Sequence, residues 1–349
     1  MKFPKRNVSA LAVALVGALA ISPATASDTS TTRCPGTDLL AANASGVAVD
    51  ADALLRKGRA LDNNGGVLWR IEQEEESRKP ASYLYGMLNV ADTRVSRITP
   101  QIEAVLARTR RIGLAHEVVT ARRMAEAVGS MHEATLLKPG KKLDGIVGAQ
   151  DLQRISLAGR RAGLGPDAAS CMQPWLAGML LNKSECQLRL TGPSSNLTFE
   201  HELMRASERR GVGSFAVESI EMMIAGLTQL SEKAQNAFLK AQLERQAKLD
   251  DIVESKIRLY LANETGALGA FDWVWMEANG VDPEIVTELR QALLIDRNAR
   301  VRDRSLMHVN YGGVFIVADI RHLPGKHGLI ELYREAGYKV TRVDQETTQ

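Results

Sequence analysis

The chain has 349 residues and a nearly balanced charge, with 44 Lys and Arg against 41 Asp and Glu and a formal net charge of +3. It carries no dense basic stripe with interleaved aromatic residues, so nothing in the sequence supports nucleic-acid binding. A hydrophobic content of 45% is typical of a globular protein with a packed core. The composition therefore predicts a globular protein with no nucleic-acid partner.

The N-terminus has the pattern of a secretory signal peptide. Basic residues lie between Lys2 and Arg6, an apolar run covers residues 10–21, and small residues precede a cleavage point after Ala26. The run is shorter than the roughly 20 apolar residues that cross a bilayer, although an uncleaved anchor is the alternative. We therefore expect a signal peptide over residues 1–26. The mature chain would be periplasmic or secreted, without stable membrane insertion.

The mature chain is predicted to begin with a disordered leader and to continue as one domain. Residues 27–46 are rich in Ser, Thr and Ala and have no clear hydrophobic period. Residues 47–349 are long enough for two domains, but α/β folds of this size are often single. We therefore expect a single domain from residue 47 to the end of the chain.

The first part of this domain is predicted to contain three strands and a helix. Residues 67–71 alternate as a strand, residues 81–88 form the returning strand of a hairpin, and residues 112–119 form the next strand. Thr99 followed by Pro100 is typical of a capped helix start. A strand, a helix and a strand of these lengths indicate a βαβ-like unit.

The middle of the chain is predicted to be mostly helical. Apolar residues recur at three- and four-residue spacing from residue 121 to about residue 262, for example over residues 175–190. A short strand over residues 214–218 interrupts this region. Asp282 before a proline indicates a further capped helix.

The C-terminal part returns to a strand, helix and strand pattern. A buried strand covers residues 314–318, a helix covers residues 328–336, and a last strand covers residues 338–343. We therefore predict an α/β (α+β) fold with a central mixed sheet. Two strand–helix–strand halves build this sheet, and a large helical insertion lies between them.

Polar residues follow the ends of two apolar strands. His322 follows the strand over residues 314–318 and precedes a Pro-Gly pair and a helix. This is how α/β proteins present reactive side chains at the carboxyl edge of a sheet, although a lone histidine is often structural. Upstream, Asn89 stands three residues after Gly86 at the end of another strand. We expect the fold to bring these two strand ends together.

Two glutamates, Glu117 and Glu218, end apolar strands. Burying a carboxylate costs free energy unless it is paired, hydrogen-bonded or bound to a metal. One interpretation is that each forms an ion pair with Arg297 or a neighbouring Lys or Arg. The other is a carboxylate and histidine cluster that holds a divalent ion and activates water. The residues by themselves leave both alternatives open.

The chain has three cysteines, and none has metal-site spacing. An exported chain permits disulfides, and Cys171 and Cys186 enclose a short segment, so we expect them to pair. Closing a loop of roughly 15 residues would contribute about 3 kcal/mol in the chain-entropy model. The alternative is two buried thiols. Cys34 then remains unpaired in the N-terminal segment.

The chain resembles the TraB/GumN family, which is related to the Tiki metalloproteases. The matching pieces run in order over nearly the whole mature chain, and the one beginning at His322 is the most specific. They are Leu68-Trp-Arg-Ile71, Tyr83-Leu-Tyr-Gly86, Val90-Ala-Asp92, Pro100, Glu117, Val217-Glu218, residues 229–235, Asp296-Arg-Asn298, Phe315-Ile-Val-Ala318, residues 322–329 and Gly337-Tyr-Lys-Val340.

The resemblance implies a metal-dependent hydrolytic site made by two Gly-x-x-His motifs and an acidic residue. This chain departs from both motifs, because Asn89 stands at the histidine position after Gly86 and Asp319 stands at the glycine position before His322. An asparagine oxygen is neutral and hard, which makes it a poor ligand for the metals that imidazole binds. Asp319 would add an oxygen ligand and favour Mn, Mg or Ca.

The resemblance with these departures favours a non-catalytic or weakly active cleft. Its partner would be a peptide, a glycan or an envelope protein. A third possibility, haem binding by analogy with a related fold, has no identifiable axial-ligand motif.

The alternative implied by the resemblance is a metal-dependent, peptidase-like hydrolase. One divalent ion of Mn, Zn or Co would be bound by His322, Glu117, Asn89 and Asp319. Glu117 or Glu218 would act as general base on water. Two further residues, Arg297 and Asn298, would orient the substrate or the carboxylates.

Overall fold

A mixed six-stranded sheet forms the centre of the fold. The computed structural model describes residues 33–41, 49–73, 79–115, 121–165, 168–191 and 197–343. The strands are β1 (Leu68–Glu72), β2 (Ser82–Met87), β3 (Arg111–Leu114), β4 (Gly213–Ala216), β5 (Val314–Asp319) and β6 (Lys339–Arg342). Their order in the sheet is β4-β3-β5-β2-β1-β6.

The strand directions place the first and last parts of the chain side by side. β2, β5, β3 and β4 are parallel to one another, whereas β1 is antiparallel to both β2 and β6. β5 lies between β2 and β3, so the two strand–helix–strand halves interleave in one sheet. This confirms the prediction of a central mixed sheet in an α/β fold.

Helices fill most of the chain between β3 and β5. The α-helices of the described residues are α1 (Ala51–Arg59), α2 (Pro100–Leu106), α3 (Ala121–Ser130), α4 (His132–Thr135), α5 (Ala149–Arg161), α6 (Ala168–Cys171), α7 (Pro174–Leu180), α8 (Glu185–Leu190), α9 (Phe199–Arg210), α10 (Ile220–Leu227), α11 (Glu232–Arg245), α12 (Leu249–Leu261), α13 (Thr265–Ala278), α14 (Pro283–Arg290), α15 (Asp296–Tyr311) and α16 (Leu329–Glu335). A five-residue π-helical turn, Gln291–Ile295, joins α14 to α15. The predicted helical insertion is therefore present, and β4 is the strand that interrupts it.

Local sequence signals account for several helix starts. The Thr99 side chain accepts a hydrogen bond from the Ile102 amide at the start of α2, with Pro100 in the first position. Ser184 does the same for α8 by accepting from the Gln187 amide at 3.1 Å. This cap starts a new helix, so residues 175–190 contain parts of two helices and not the single helical segment that was predicted.

β5 is the most deeply buried strand. All six of its residues are buried, as expected for a strand with parallel neighbours on both sides and helices packed on the sheet. In the described part of the chain, no helix is long and apolar enough to cross a membrane. Residues 1–26, which carry the predicted signal peptide, lie outside the described residues.

The disulfide joins Cys34 to Cys186, so the predicted Cys171–Cys186 pair is wrong. The Cα atoms of Cys34 and Cys186 are 5.7 Å apart, and Cys171 is an exposed thiol. Cys186 is buried in the first turn of α8, whereas Cys171 ends α6. Cys186 and Cys171 therefore lie on different helices in different environments, so their short spacing in the sequence does not make them a disulfide pair.

The disulfide fixes part of the predicted leader to the domain. Residues 33–41 lie against α12, where the Thr37 amide donates to Asp251 Oδ1 and the Leu39 amide donates to Ser255 Oγ, each at 2.7 Å. The leader residues 27–32 and 42–46 lie outside the described residues.

We expect Cys186→Ser to lower the free energy of unfolding by about 5 kcal/mol in the chain-entropy model, because the disulfide closes a loop with a sequence separation of 152 residues. Urea unfolding of the oxidised protein measures this loss, and reduction of the unmodified protein should reproduce it. Cys171→Ser is the matched control and should leave the free energy of unfolding unchanged. A large effect of Cys171→Ser with little effect of Cys186→Ser would contradict the Cys34–Cys186 pairing.

Candidate functional site

The two strand ends singled out in the sequence meet at the carboxyl edge of the sheet. β2 and β5 are parallel neighbours, with Gly86 opposite Ala318 and Met87 opposite Asp319. Asn89 comes two residues after Met87 and His322 comes three residues after Asp319, so both lie beyond the same edge of the sheet. The structure therefore confirms that the fold brings the two strand ends together.

Gly86 makes this close approach possible. A Cβ atom at Gly86 would lie 2.8 Å from Leu323 Cδ2 and would also collide with the Ile320 side chain. The Gly86 carbonyl accepts a hydrogen bond from Tyr260 Oη at 2.8 Å, and Tyr260 Oη lies 2.9 Å from Tyr85 Oη. The glycine of the first motif therefore has a packing role, because the turn after β5 lies directly on it.

Two neighbouring cavities open at this edge of the sheet. The larger has a volume of about 260 Å³, and its lining includes Asn89, Glu218 and Arg297. The smaller has a volume of about 70 Å³ and is lined in part by His322. The residues that line both cavities are Phe238, Gln242, Arg245, Asp272, Leu293 and Arg321. Asn89 and His322 thus belong to adjoining cavities with a common wall.

Asn298 holds the His322 ring. The Asn298 Nδ2 group donates to the carbonyl oxygens of His327 at 2.8 Å and His322 at 3.2 Å, which directs Asn298 Oδ1 toward the ring. His322 Nδ1 lies 2.6 Å from this Oδ1, so Nδ1 carries the proton and donates. The basic nitrogen of the neutral ring is then Nε2. Asn298 is fully buried, and it orients the histidine ring through its Nδ1 side.

Glu218 forms the ion pair with Arg297 that the sequence allowed. Its side chain is almost fully buried, Oε2 accepts from Arg297 Nε at 2.6 Å, and Oε1 lies 3.3 Å from Arg300 Nη2. Arg297 and Arg300 are one turn apart on α15, so one helix supplies both guanidinium groups. The carboxylate of Glu218 has both oxygens engaged by arginine.

Asp319 is engaged in the same way by Arg321. Its Oδ1 accepts from the Arg321 amide at 3.0 Å and from Arg321 Nε at 2.8 Å, which caps the short 3₁₀ turn Ile320–His322. Burial by itself would raise the pKa of Asp319. The Arg321 charge and these hydrogen bonds outweigh burial and lower the pKa to about 2. Asp319 is therefore ionised and paired at neutral pH.

A third carboxylate, Asp272 on α13, is surrounded by three cations, and none of these four residues was predicted from the sequence as part of the site. Asp272 Oδ1 accepts from Arg245 Nη2 at 2.7 Å and from Lys256 Nζ at 2.8 Å, and Oδ2 accepts from Arg321 Nη1 at 3.0 Å. Burial opposes ionisation of Asp272, but the three cations lower its pKa well below the ordinary value. Burial and the two arginines lower the pKa of Lys256 to about 8, against the opposing effect of Asp272.

A sequence signal for this cluster existed. Asp272 stands between Phe271 and Trp273 in the otherwise apolar run of residues 266–276, and a lone carboxylate in such a run requires partners. The identity of those partners could not be read from the sequence, because Arg245 and Lys256 lie on other helices.

The predicted metal ligands were compared with the clusters of metal-binding side chains among the described residues. Among them, one group of three His, Cys, Asp or Glu side chains has its ligand atoms within 4.8 Å of one another, and it consists of Cys34, Cys186 and Asp250. The two cysteines are joined in the disulfide and offer no thiolate. Glu117, the remaining predicted ligand, lies outside the described residues, so the predicted ligand set stays a prediction.

We expect Gly86→Ala to lower the free energy of unfolding by about 1–3 kcal/mol, because the added methyl group collides with Ile320 and Leu323. Urea unfolding measures the loss. Gly129→Ala on α3 is the matched control, since nothing lies within 4 Å of a Cβ built there. A loss of similar size at both positions would show that the close approach at Gly86 is not the cause.

We expect the stability that Asp319 contributes to depend on pH. A carboxyl whose folded pKa is below its unfolded value stabilises the protein fully above the unfolded pKa and loses this effect as the pH falls toward the folded pKa. Asp319→Asn should therefore lower the free energy of unfolding by about 1–2 kcal/mol at pH 6 and by roughly half as much at pH 3. Asp303→Asn, at a mostly exposed aspartate, is the control and should show little loss at either pH. Equal losses for Asp319→Asn at both pH values would argue against this ion pair.

Comparison with known proteins places the chain in a family. The family model described as the TraB/PrgY/gumN family matches residues 67–342, which contain all six strands and the residues that line both cavities. Searches of curated proteins and of solved structures returned no match. The family predicted from the sequence motifs is thereby confirmed, and the chain belongs to the TraB/PrgY/gumN family.

Proposed function

We propose that this protein is an exported member of the family whose cleft binds a peptide, a glycan or an envelope partner with little or no catalysis. The observation that carries the proposal is the state of the carboxylates beside the joined strand ends. Glu218 and Asp319 are both paired with arginine, and Asn89 stands where the first motif of the family has a histidine.

The charges around the cleft oppose a divalent cation. Arg297, Arg300 and Arg321 contact the carboxylates that would otherwise attract a metal ion. Two like unit charges 4 Å apart repel by about 4 kcal/mol at an effective dielectric constant of 20. A metal ion would have to displace these arginines or bind despite their repulsion. A partner without positive charge at this position would meet no such repulsion.

One observation favours the alternative, a metal-dependent hydrolase. His322 Nδ1 donates to Asn298, which is how outer residues commonly fix a metal-binding histidine so that Nε2 faces the ion. In this alternative His322, Glu117, Asn89 and Asp319 would hold one ion of Mn, Zn or Co. The ion would supply Lewis-acid chemistry when bound.

Export is supported by two independent features. Residues 1–26 have the pattern of a signal peptide, and Cys34 and Cys186 form a disulfide, which persists in oxidising compartments. We propose that the mature protein is periplasmic or secreted.

Metal titration of the purified protein and of Asn89→His tests the proposed function. We expect millimolar Zn, Mn or Co to leave the melting temperature of the unmodified protein unchanged and to produce no peptide hydrolysis. Restoring the second imidazole should raise metal affinity, and a ligand at 100 times its Kd stabilises the folded state by about 2.7 kcal/mol.

Asn310→His is the matched control for this titration, because it adds a histidine at an exposed site on α15. It should show no gain in metal affinity. A metal-dependent rise in melting temperature of the unmodified protein, together with peptide hydrolysis, would establish the hydrolase and overturn the proposed function.

A further inference from the structure

We propose that the larger cavity binds the anionic group of its ligand, a carboxylate or a phosphate that is attached to an apolar body. This inference rests on the proposed function, because it names the chemistry of the ligand that the same cleft would bind. It depends on the charge, the hydrogen-bonding state and the apolar surface of the lining.

The cavity lining has an excess of positive charge. Its cationic side chains are those of Arg245, Lys256, Arg297, Arg300 and Arg321, and its carboxylates are those of Glu218 and Asp272. The described lining therefore has a formal excess of three positive charges. Asp319 lies behind the lining and offsets one of these through Arg321, which leaves an excess of two. A ligand with one or two negative charges would balance the site.

The ion pairs within the lining leave this excess in place. Asp272 is shared by Arg245, Lys256 and Arg321, and Glu218 is shared by Arg297 and Arg300. Each carboxylate neutralises one charge, so the pairs fix the positions of the cations without cancelling them. Such preorganised cations are suited to bind an anion, because the protein need not rearrange on binding.

Two of these arginines have unused hydrogen-bonding capacity in a buried position. Arg245 is 7% exposed, and its Nε has no hydrogen-bond partner among the described residues. Arg300 Nε is buried and lacks a partner in the same part of the structure. Both nitrogens are inaccessible to solvent, so an anion in the cavity would contact these guanidinium groups through their other nitrogens. Buried donors are nearly always satisfied, so the two unpaired Nε groups indicate guanidinium groups whose charge and donors are incompletely offset by the described residues. Guanidinium groups match the geometry of carboxylate and phosphate oxygens.

The rest of the lining is largely apolar. It includes Leu88, Met223, Leu227, Phe238, Ile252 and Leu293. The cavity volume of about 260 Å³ is near the lower end of ligand pockets and suits a small organic anion or the anionic end of a longer ligand. Apolar walls would favour an anion with a hydrophobic substituent over a bare inorganic ion.

Calorimetric titration with four probes tests this inference on the purified protein. The probes are benzoate, phenyl phosphate, inorganic phosphate and benzyl alcohol. We expect benzoate or phenyl phosphate to bind at least ten-fold more tightly than benzyl alcohol, which lacks the charge, and more tightly than inorganic phosphate, which lacks the ring. Whichever of the two aromatic anions has the lower Kd identifies the natural group as a carboxylate or as a phosphate.

Arginine variants locate the binding site. Arg300→Gln leaves Glu218 paired with Arg297, and Arg245→Gln leaves Asp272 paired with Lys256 and Arg321, so neither strands a buried carboxylate. Each should weaken binding of the aromatic anion at least ten-fold. Arg245→Lys keeps the charge and should retain most of the affinity. Arg205→Gln on α9 is the matched control, because Arg205 is exposed and does not line the cavity, and it should bind like the unmodified protein.

Three results would overturn the inference. They are equal affinity for benzyl alcohol and benzoate, absence of binding by either aromatic anion, and unchanged affinity in both Arg245→Gln and Arg300→Gln. None of these results would itself overturn the proposed function, which depends on the metal titration and the hydrolysis assay. Metal-dependent hydrolysis with intact anion binding would overturn the proposed function alone.

Discussion

The parallel pairing of β2 with β5 is the constraint on which the site depends. These strands come from opposite ends of the chain, and their pairing with Gly86 opposite Ala318 places both motif turns at one edge of the sheet. The pairing needs a glycine at position 86, since the turn after β5 packs against the space that a side chain would fill. The glycine of the first motif thus makes room for the turn that carries the second motif. One residue of β2 therefore serves both the strand pairing and the site.

The balance of charges around the cleft underlies both proposals about its ligand. Around Glu218, Asp272 and Asp319 the cations outnumber the carboxylates, and most of them are partly or fully buried. A low local dielectric strengthens both attraction and repulsion. The arrangement that we propose attracts an anion would therefore repel a divalent metal ion, because both ligands would meet the same excess of positive charge. In the proposed function, the asparagine at position 89 and the arginine contacts both disfavour a metal ion.

The sequence predicted the features that depend on local patterns. Apolar strands, the Thr99–Pro100 cap and the meeting of the strand ends at Gly86 and His322 follow from periodicity, capping and the rule for carboxyl edges. The disulfide could not be predicted, because Cys34 reaches Cys186 across a separation of 152 residues. The nearer cysteine, Cys171, proved to be exposed.

The ion pairs of the site were likewise predictable in part, because local sequence indicates a need for partners and not the identity of distant ones. A buried glutamate at the end of β4 predicts a partner, and Arg297 was a candidate from its position in a matched motif. The three cations around Asp272 come from α11, α12 and the turn after β5, and no spacing in the sequence relates them. Local chemistry thus indicated that partners are required, whereas tertiary packing determined which residues they are.

The π-helical turn before α15 sets the rotation of that helix. α15 presents Arg297 and Arg300 to Glu218 after β4, and it presents Asn298 to His322 after β5. Further along the same helix, Ser305 Oγ lies 2.6 Å from Tyr333 Oη of α16. Removing one residue from the turn Gln291–Ile295 would rotate α15 by about 100°, since each residue of an α-helix advances by that angle. The contacts of Arg297 and Arg300 with Glu218 and the contact of Asn298 with His322 would then be lost together. The rotation of one helix about its axis therefore links the two halves of the cleft.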